Sequence, residues 1–471
     1  MVGRAIHIPT AMASSQAPVA GATTQNPMAG IDAAPRAGQS VSHEGQEYTT
    51  IREGLAHILV PHGIPTSIDP KMSKEDTQRQ QVFYNPIQQF NRDLSVLAIK
   101  TFGEDLVHRR WQKREQARKK GNRKRKNLDR TEDEAGTSVP PPNGPTIQSS
   151  GSLGPAENAN EQLTASLSNR QLSKKVKLDT HAADDHAPNL EKESVLPEGN
   201  DMINTTTGEA FQWKPAFKIL DALSATGLRA LRYAQEIPFS TSITANDMSS
   251  KATETIALNV KHNKLEDKIR TSTGNAIAHM YSSMDKNGYD VIDLDPYGTA
   301  APFIDSALQA INDEGLLCVT CTDSAIFASH GYLEKTYSQY GGLPLIGEPC
   351  HEGGLRLVLH AIASSAGRYG MAIEPLLSLS IDYYVRVFVR VRKSPNDVKF
   401  LAGKTMIIYH CDNGCGSWST QYLARSKAVL NKNGGQYYKY AFAAAPSANE
   451  YCEHCGTKTH VCFPRHIFFC C

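Results

Sequence analysis

Two carboxylates and a loop of small residues have types and spacing that suit chemistry. The loop is Ser224-Ala225-Thr226-Gly227 in "LDALSATGLRALRY". Its small side chains let the backbone approach a ligand closely, and a helix opening behind it would offer free N–H groups. Without a G-x-G-x-x-G pattern it is a weak dinucleotide fingerprint, and a tight strand-to-helix turn explains the same residues equally well. The first carboxylate is Asp247 of "TANDMS". An acid at that place can accept hydrogen bonds from both hydroxyls of a ribose, and a helix N-cap is the alternative. The second is Asp295 of "DLDPYG", where Pro296 forces an extended or turn conformation on it. A carboxylate held rigidly there can accept hydrogen bonds from an amino group and turn the nitrogen lone pair toward an electrophile. Tyr297 offers a flat face to a base, a contact worth about 1–3 kcal/mol. An Asp-Pro pair also simply opens loops.

A second constellation lies near the end. Cys411 and Cys415 form a C-x₃-C pair, Cys452 and Cys455 a C-x₂-C pair. Two thiolate pairs on glycine-containing turns suit a closed, tetrahedral structural zinc, with His410, His454 and His460 as lesser candidates. No catalytic role follows, because such a site leaves no open coordination position. The chain has ten cysteines, all after residue 300, and no secretory signal, so a disulfide framework is a poor reading and a reducing compartment is expected.

The elements that must position these groups are legible from about Tyr48. "YTTIREGLAHILVP" reads as a hairpin-like pair of strands, and Asn91 to Phe102 as a helix after an aromatic loop. From 210 to 311 short apolar strands ("FKILDAL", "SITAND", "YDVIDLDP") alternate with amphipathic helices, and "GLLCVTCTD" follows as another strand. That alternation predicts an α/β fold, a doubly wound parallel sheet with helices on both faces. Its ligand would sit beyond the carboxyl ends of the strands, where Asp247 and Asp295 fall. One more helix and two strands close the domain at about Lys393. A small-residue loop, a ribose-type acid one strand later and Asp-Pro-aromatic after strand four, in that order, form the layout of amino methyltransferases. A nicotinamide dehydrogenase is disfavoured, because strand one lacks the glycine fingerprint.

The predicted domains are a disordered or targeting tail at 1–45, the N-terminal part of the catalytic domain at 46–106, a disordered basic and polar insert at 107–205, the core at 206–393 and a cysteine-bearing module at 394–471. The insert is assigned on composition: "HRRWQKREQARKKGNRKRKN" is basic, "SVPPPNGP" is a polyproline stop, and the remainder buries too little apolar surface to offset chain ordering. The basic block at 109–126 could grip phosphates or act as an import signal, and "KKVKLD" (Lys174–Asp179) looks like a nuclear-import signal. That signal makes the nucleus the expected location; the tail reads first as plainly disordered, and as a transit peptide it would make mitochondrion or plastid further destinations. No run of about 18 apolar residues appears, so no membrane span is expected. The 50 basic and 48 acidic residues leave a net charge of +2, which by itself decides little.

Four strings, "VFYNPIQQFNRDLSVLAI", "LDALSATGLRALRYAQEIP", "DVIDLDPYGTAAPFIDSAL" and "GEPCHEGGLRLVL", closely resemble the tRNA (guanine-N2-)-dimethyltransferases that act at position 26 of tRNA. The resemblance covers residues 48–100 and 210–460. It implies a Rossmann-like class I methyltransferase sheet with a smaller zinc-containing C-terminal domain, S-adenosylmethionine as methyl donor, tRNA as partner and a monomer. It further implies that Arg92 and Arg229 contact the donor's carboxylate and neighbouring groups, with Asp221 and Gly227 in the same donor-binding set. Asp247 would hold the ribose, and Asn275 and Ala276 the adenine. Asp295 would be the catalytic acceptor facing the guanine amine, beside Pro296, with Phe83 and Tyr297 sandwiching the flipped base. "CFPRHIFFCC" departs from the family's continuation, so the chain is expected to be truncated at its C-terminus. Two other readings follow from the same residues: a zinc-bearing RNA-binding protein that has lost catalysis, and a methyltransferase for another amine.

Overall fold

The computed structural model describes residues 28–62, 84–134, 215–284, 288–327, 332–381, 384–411 and 414–466, with side chains to 120 in the second segment and to 461 in the last. The chain divides into two compact units, Met1–Lys119 with Trp213–Cys471, and Lys120–Gln212. Of the second unit the described residues are the end of one helix.

Seven strands build the central sheet: β5 (Lys218–Asp221), β6 (Ser242–Asp247), β7 (Ile269–Thr273), β8 (Tyr289–Leu294), β9 (Ile311–Cys321), β10 (Met371–Ile381) and β11 (Tyr384–Lys393). Their order is β10-β11-β9-β8-β5-β6-β7. The strands β7, β6, β5, β8 and β9 run parallel, while β11 pairs antiparallel with both β9 and β10. Strand order reverses between β5 and β8, the place where open α/β sheets bind ligands. The predicted doubly wound sheet is therefore present, with one antiparallel strand inserted near its edge.

The strands alternate between two cores, as the two-residue period of a strand requires. Ile219, Val291, Leu316, Cys318 and Phe388 face one core. Leu220, Ile292, Leu317, Val319 and Val387 face the other. The first core is covered by α1 (Gln89–Glu134), α2 (Leu228–Glu236) and α3 (Ser250–His262), and the second by α4 (Ala276–Ser282), α5 (Ala301–Ala310) and α8 (Cys350–Arg368). Two short helices, α6 (Ser324–Phe327) and α7 (Leu333–Tyr340), precede α8.

Two predicted boundaries are corrected. The tail assigned to 1–45 already contains β1 (Ala29–Gly30) and β2 (Ser40–His43), which join β3 (Gln46–Glu53) and β4 (Ala56–Pro61) in a four-stranded sheet. Glu44 and Gly45, at φ 51° and 79°, make the tight turn between β2 and β3. Val41 and Ile31 are buried against Leu59, a small core that a Ser- and Ala-rich composition disguises. The second correction concerns 107, where the predicted helix should have stopped. Instead α1 continues to Glu134. Lys, Arg, Gln, Glu and Ala are good helix formers, and a helix already anchored by Ile99, Phe102 and Leu106 extends through them. Arg109 and Arg110 of the basic block are not free for phosphates. Arg109 donates to Glu314 at 2.9 Å, and Arg110 to Asp290 at 2.6 Å and the Ala216 carbonyl at 2.9 Å. Residues 1–27, the stretch 135–214 with "KKVKLD", and 467–471 lie outside the described residues.

The C-terminal module holds β12 (Thr405–His410), β13 (Trp418–Tyr422) and β16 (His460–His466) in one sheet, and a hairpin of β14 (Ala424–Leu430) with β15 (Gln436–Phe442). β16 pairs antiparallel with β12, and its residues Cys462–His466 are part of the departing C-terminal sequence. Among the described residues no helix is long and apolar enough to cross a membrane.

Candidate active site

The first βα turn is shaped by its small residues. Ala225 and Gly227 have φ of 49° and 80°, and Gly227 caps α2 in the left-handed conformation. A Cβ at Gly227 would also stand 3.1 Å from Ile256 on α3, so glycine is needed both for φ and for the close helix approach. Asp221 ends β5 beneath this loop, 1% exposed. The Ser224 hydroxyl donates to its Oδ2 at 2.6 Å, whereas the buried Oδ1 has no hydrogen-bond partner among the described residues. Burial, then the nearby charge of Asp293, raises this carboxyl to about 7.

Asp247 lies at the end of β6, across the loop. Its Oδ2 accepts from the Ala225 N–H at 3.0 Å and its Oδ1 from the Ser249 N–H at 2.9 Å. The N-cap of α3 is Ser249, so Asp247 ties two loops together and does not cap the helix. Met248, next to it, is 74% exposed. Sequence reasoning passed over it, since an isolated Met carries no pattern. Asn275 does act as a cap, its side-chain oxygen accepting from Ile277 N–H at 2.8 Å, and Ala276 opens α4 behind it.

Asp295 follows β8, with Pro296 buried and Tyr297 exposed beside it. The loop is pinned to the end of β9, because the Gly298 N–H donates to Thr322 Oγ1 at 2.7 Å and the Thr322 N–H to the Gly298 carbonyl at 2.9 Å. Arg229, in the first turn of α2, donates from Nε to Asp295 Oδ2 at 3.0 Å, and its Nη2 reaches the same oxygen. Asp295 is thereby brought beside the 224–227 loop, and its side chain keeps 24% exposure. Its Oδ1 has no hydrogen bond to a described residue.

The two arginines expected at the donor's carboxylate are engaged by protein groups. Arg229 pairs with Asp295 as above and its Nη1 donates to Ser95 Oγ at 3.0 Å. Arg92 donates from Nε to Glu53 Oε1 at 2.6 Å, and from Nη2 to Glu53 Oε2 and the Asn85 carbonyl. Glu53 also receives Arg232 Nη1 at 3.0 Å, so this buried acid on β3 ties the N-terminal sheet to α1 and α2. Glu53 and Arg232 escaped sequence reasoning, because nothing in their spacing marks a contact between distant segments. Phe83 lies outside the described residues.

The four cysteines come together. Their Sγ atoms all lie within 4.8 Å of one another, with Cys411 to Cys455 at 3.4 Å and Cys415 to Cys452 at 3.6 Å. Each pair sits on a knuckle closed by backbone bonds, Gly416 N–H to the Cys411 carbonyl and Gly456 N–H to the Cys452 carbonyl. A Cβ at Gly414 would stand 2.6 Å from Cys411 Sγ and 2.8 Å from Cys455 Sγ, so only glycine leaves room for the cluster. His410, His454 and His460 do not belong to this four-cysteine group.

The geometry is that of a doubly wound sheet with a paired acid and an exposed aromatic at its switch point. The family model described as N2,N2-dimethylguanosine tRNA methyltransferase matches residues 63–467. A tRNA (guanine(26)-N(2))-dimethyltransferase of Schizosaccharomyces pombe is 39% identical over 383 residues, covering 81% of this chain and 58% of the relative. A mitochondrial tRNA (guanine(26)-N(2))-dimethyltransferase of Saccharomyces cerevisiae is 35% identical over 427 residues, 89% of this chain and 60% of the relative. A solved complex of Trm1 from Pyrococcus horikoshii with S-adenosyl-L-methionine is 31% identical, with a TM-score of 0.41, over 44% of this chain and 58% of that one. The chain spans about 60% of the length of these curated relatives. With a match that runs through both the sheet and the cysteine module, the chain belongs to the N2,N2-dimethylguanosine tRNA methyltransferase family.

Proposed function

We propose that this protein transfers methyl groups from S-adenosylmethionine to the exocyclic N2 of guanine at position 26 of tRNA, giving N2,N2-dimethylguanine. The observation that carries this reading is the state of Asp295. One carboxylate oxygen is anchored by Arg229, the other has no bond to a described residue, and the side chain reaches solvent beside Tyr297.

The residues fit the donor. Asp221 Oδ1 is a buried oxygen lacking a partner among the described residues, a place for an ammonium group. Asp247 has lone pairs left for ribose hydroxyls, Met248 and the Asn275–Ala276 turn flank the position for an adenine, and Gly227 keeps the loop close. Arg92 retains Nη1 for a carboxylate. Bound there, S-adenosylmethionine supplies a methyl group activated by its sulfonium. The protein's own task is then alignment and proton handling. Tyr297, with Phe83 as its expected counterpart, holds the guanine ring by stacking. Asp295 Oδ1 accepts a hydrogen bond from the N2 amine, orients its lone pair, and takes the proton released as the new C–N bond forms.

The cysteine cluster fits a structural zinc. Tetrahedral Zn–S bonds of about 2.3 Å put sulfurs about 3.8 Å apart, close to the separations across the pairs, Cys411 to Cys455 and Cys415 to Cys452. Cys411, Cys415, Cys452 and Cys455 would hold it and brace the C-terminal module. We assign the protein to the nucleus, on the strength of "KKVKLD"; the mitochondrial name of the yeast relative supports an organelle as a second location.

The test is transfer of labelled methyl from S-adenosylmethionine to tRNA, with a guanine-26 to adenine transcript as control. Label on wild-type tRNA alone supports the reading; no transfer, or equal label on both transcripts, refutes it.

A further inference from the structure

Two residues that do not themselves touch Asp295 reach it through Arg229. Arg386, on β11, is among the largest fully buried side chains. Its Nη1 donates to Thr320 Oγ1 at 2.7 Å and lies 2.7 Å from Asp293 Oδ1, and its Nη2 donates to Ser95 Oγ at 2.9 Å. Ser95, on α1, is also fully buried. Its hydroxyl donates to the Asn91 carbonyl at 2.7 Å and accepts from Arg386 and from Arg229 Nη1. One donor proton and two lone pairs are all that a serine hydroxyl has, and all three are used. Asp293, at the end of β8, carries the counter-charge: it stands 3.6 Å from Arg229 Nη1 and accepts the Tyr233 hydroxyl.

Two guanidinium groups sharing one hydroxyl and one carboxylate in a dry interior are costly to bury, and an apolar cluster of the same volume would commonly be as stable. What the arrangement does provide is a fixed orientation for Arg229. With Nη1 held by Ser95, the fork presents Nε and Nη2 to Asp295 Oδ2, which leaves Oδ1 as the free oxygen. We infer that Ser95 and Arg386 are positioning residues for the methyl-transfer reaction: the Arg386–Ser95–Arg229 chain sets which oxygen of Asp295 meets the amine. The inference rests on Asp295 being the proton acceptor proposed above. It also gives α1 a part in the active site, since Ser95 lies on the helix that packs across the sheet.

The experiment compares wild type, Ser95→Ala and Ser95→Thr by single-turnover methyl transfer at saturating donor and tRNA, by steady-state rates over a range of each, and by crystal structures of all three. Ser95→Ala is expected to slow transfer about 10- to 100-fold, the effect of a small misplacement of a reacting group. Its KM for donor and for tRNA should stay within about twofold, and Ser95→Thr, which keeps the hydroxyl, should restore most of the rate. In the Ser95→Ala crystal, Arg229 should leave its 3.0 Å contact with Asp295. A folded Ser95→Ala protein with the wild-type rate overturns the inference, as does a rate that Thr fails to restore while Asp295 stays in place. If Ser95→Ala does not fold, Ser95→Cys, of similar volume but a weak acceptor, is read the same way. If wild type methylates no tRNA, the proposed reaction fails on its own; the position of Asp295 in the variant crystals then still decides whether Ser95 sets it.

Discussion

The Ser224 hydroxyl donates to Asp221 Oδ2 at 2.6 Å, while the other oxygen of Asp221 is buried with no partner among the described residues. Burial and the charge of Asp293 together raise this carboxyl to about 7. A carboxyl raised on folding binds more protons in the native state than in the unfolded one. Its contribution to stability is therefore complete below about pH 4, declines as pH rises, and is gone above about 7. Asp221→Asn cannot ionise, so the difference in unfolding free energy between variant and wild type should widen in the variant's favour from pH 4.5 to 7.5. Urea titrations of both proteins across that range, without donor, measure it, and a constant difference would show that Asp221 does not titrate there.

Asp295 is expected to be indispensable to turnover and dispensable to the fold. Its side chain is partly exposed, and buried Arg229 keeps Ser95 Oγ and the nearby Asp293 carboxylate when Asp295 is changed. Asp295→Asn should keep the protein folded and the donor bound, yet lower the single-turnover rate by about 10²- to 10⁴-fold, the usual contribution of a proton acceptor. Calorimetric donor binding, measured beside the rate, separates this from a damaged pocket. Equal losses in both would assign Asp295 to donor binding instead.

Glu53 should matter to stability far more than its distance from the cleft suggests. It is 3% exposed and is shared by Arg92 and Arg232, from two different helices. Removing it leaves Arg92 in a dry interior without its carboxylate, a loss of about 3–5 kcal/mol for a broken buried pair, whereas Arg232 keeps Asp93 and Glu236 as partners. Glu53→Ala is expected to show that loss in urea unfolding, and Glu53→Asp, with a shorter reach, part of it. Because Arg92 is itself expected to contact the donor, donor affinity should fall in Glu53→Ala as well.

How far the sequence revealed this arrangement depends on where each contact comes from. The sheet, its helices and the acids at the strand ends were legible, because alternation of apolar strands and amphipathic helices fixes both the fold class and the edge at which ligands bind. The cysteine pairs were legible for a similar reason, their spacing being local. What stayed hidden were long-range polar contacts: Arg386 reads as one cation in an alternating strand, and nothing near it names Ser95, some 290 residues earlier in the chain. Composition misled at both ends of the first segment. By composition the basic run after Val107 reads as unable to order itself, which holds for an isolated chain but not for one extending an anchored helix. The Ser-rich stretch before Tyr48 concealed a strand whose one large apolar residue, Val41, is buried.

If the four thiolates hold zinc, metal analysis should find one zinc per chain, and Cys455→Ser should lower that content sharply. Binding energy of a structural zinc is folding energy, so the strands that carry the ligands should lose protection when the metal is removed. Hydrogen exchange of the chelator-treated protein is expected to speed up across β12 and β13 while β5, β6 and β8, which lie in the hydrophobic cores, stay protected. Gly414→Ala gives a second approach that leaves every ligand in place. Its added methyl would meet Cys411 and Cys455 Sγ at 2.6 and 2.8 Å, so the knuckle must spread and zinc affinity must fall. Retention of zinc by Gly414→Ala at wild-type affinity, under competition from a chelator of known strength, would mean that the sulfurs do not converge as the four-cysteine site requires.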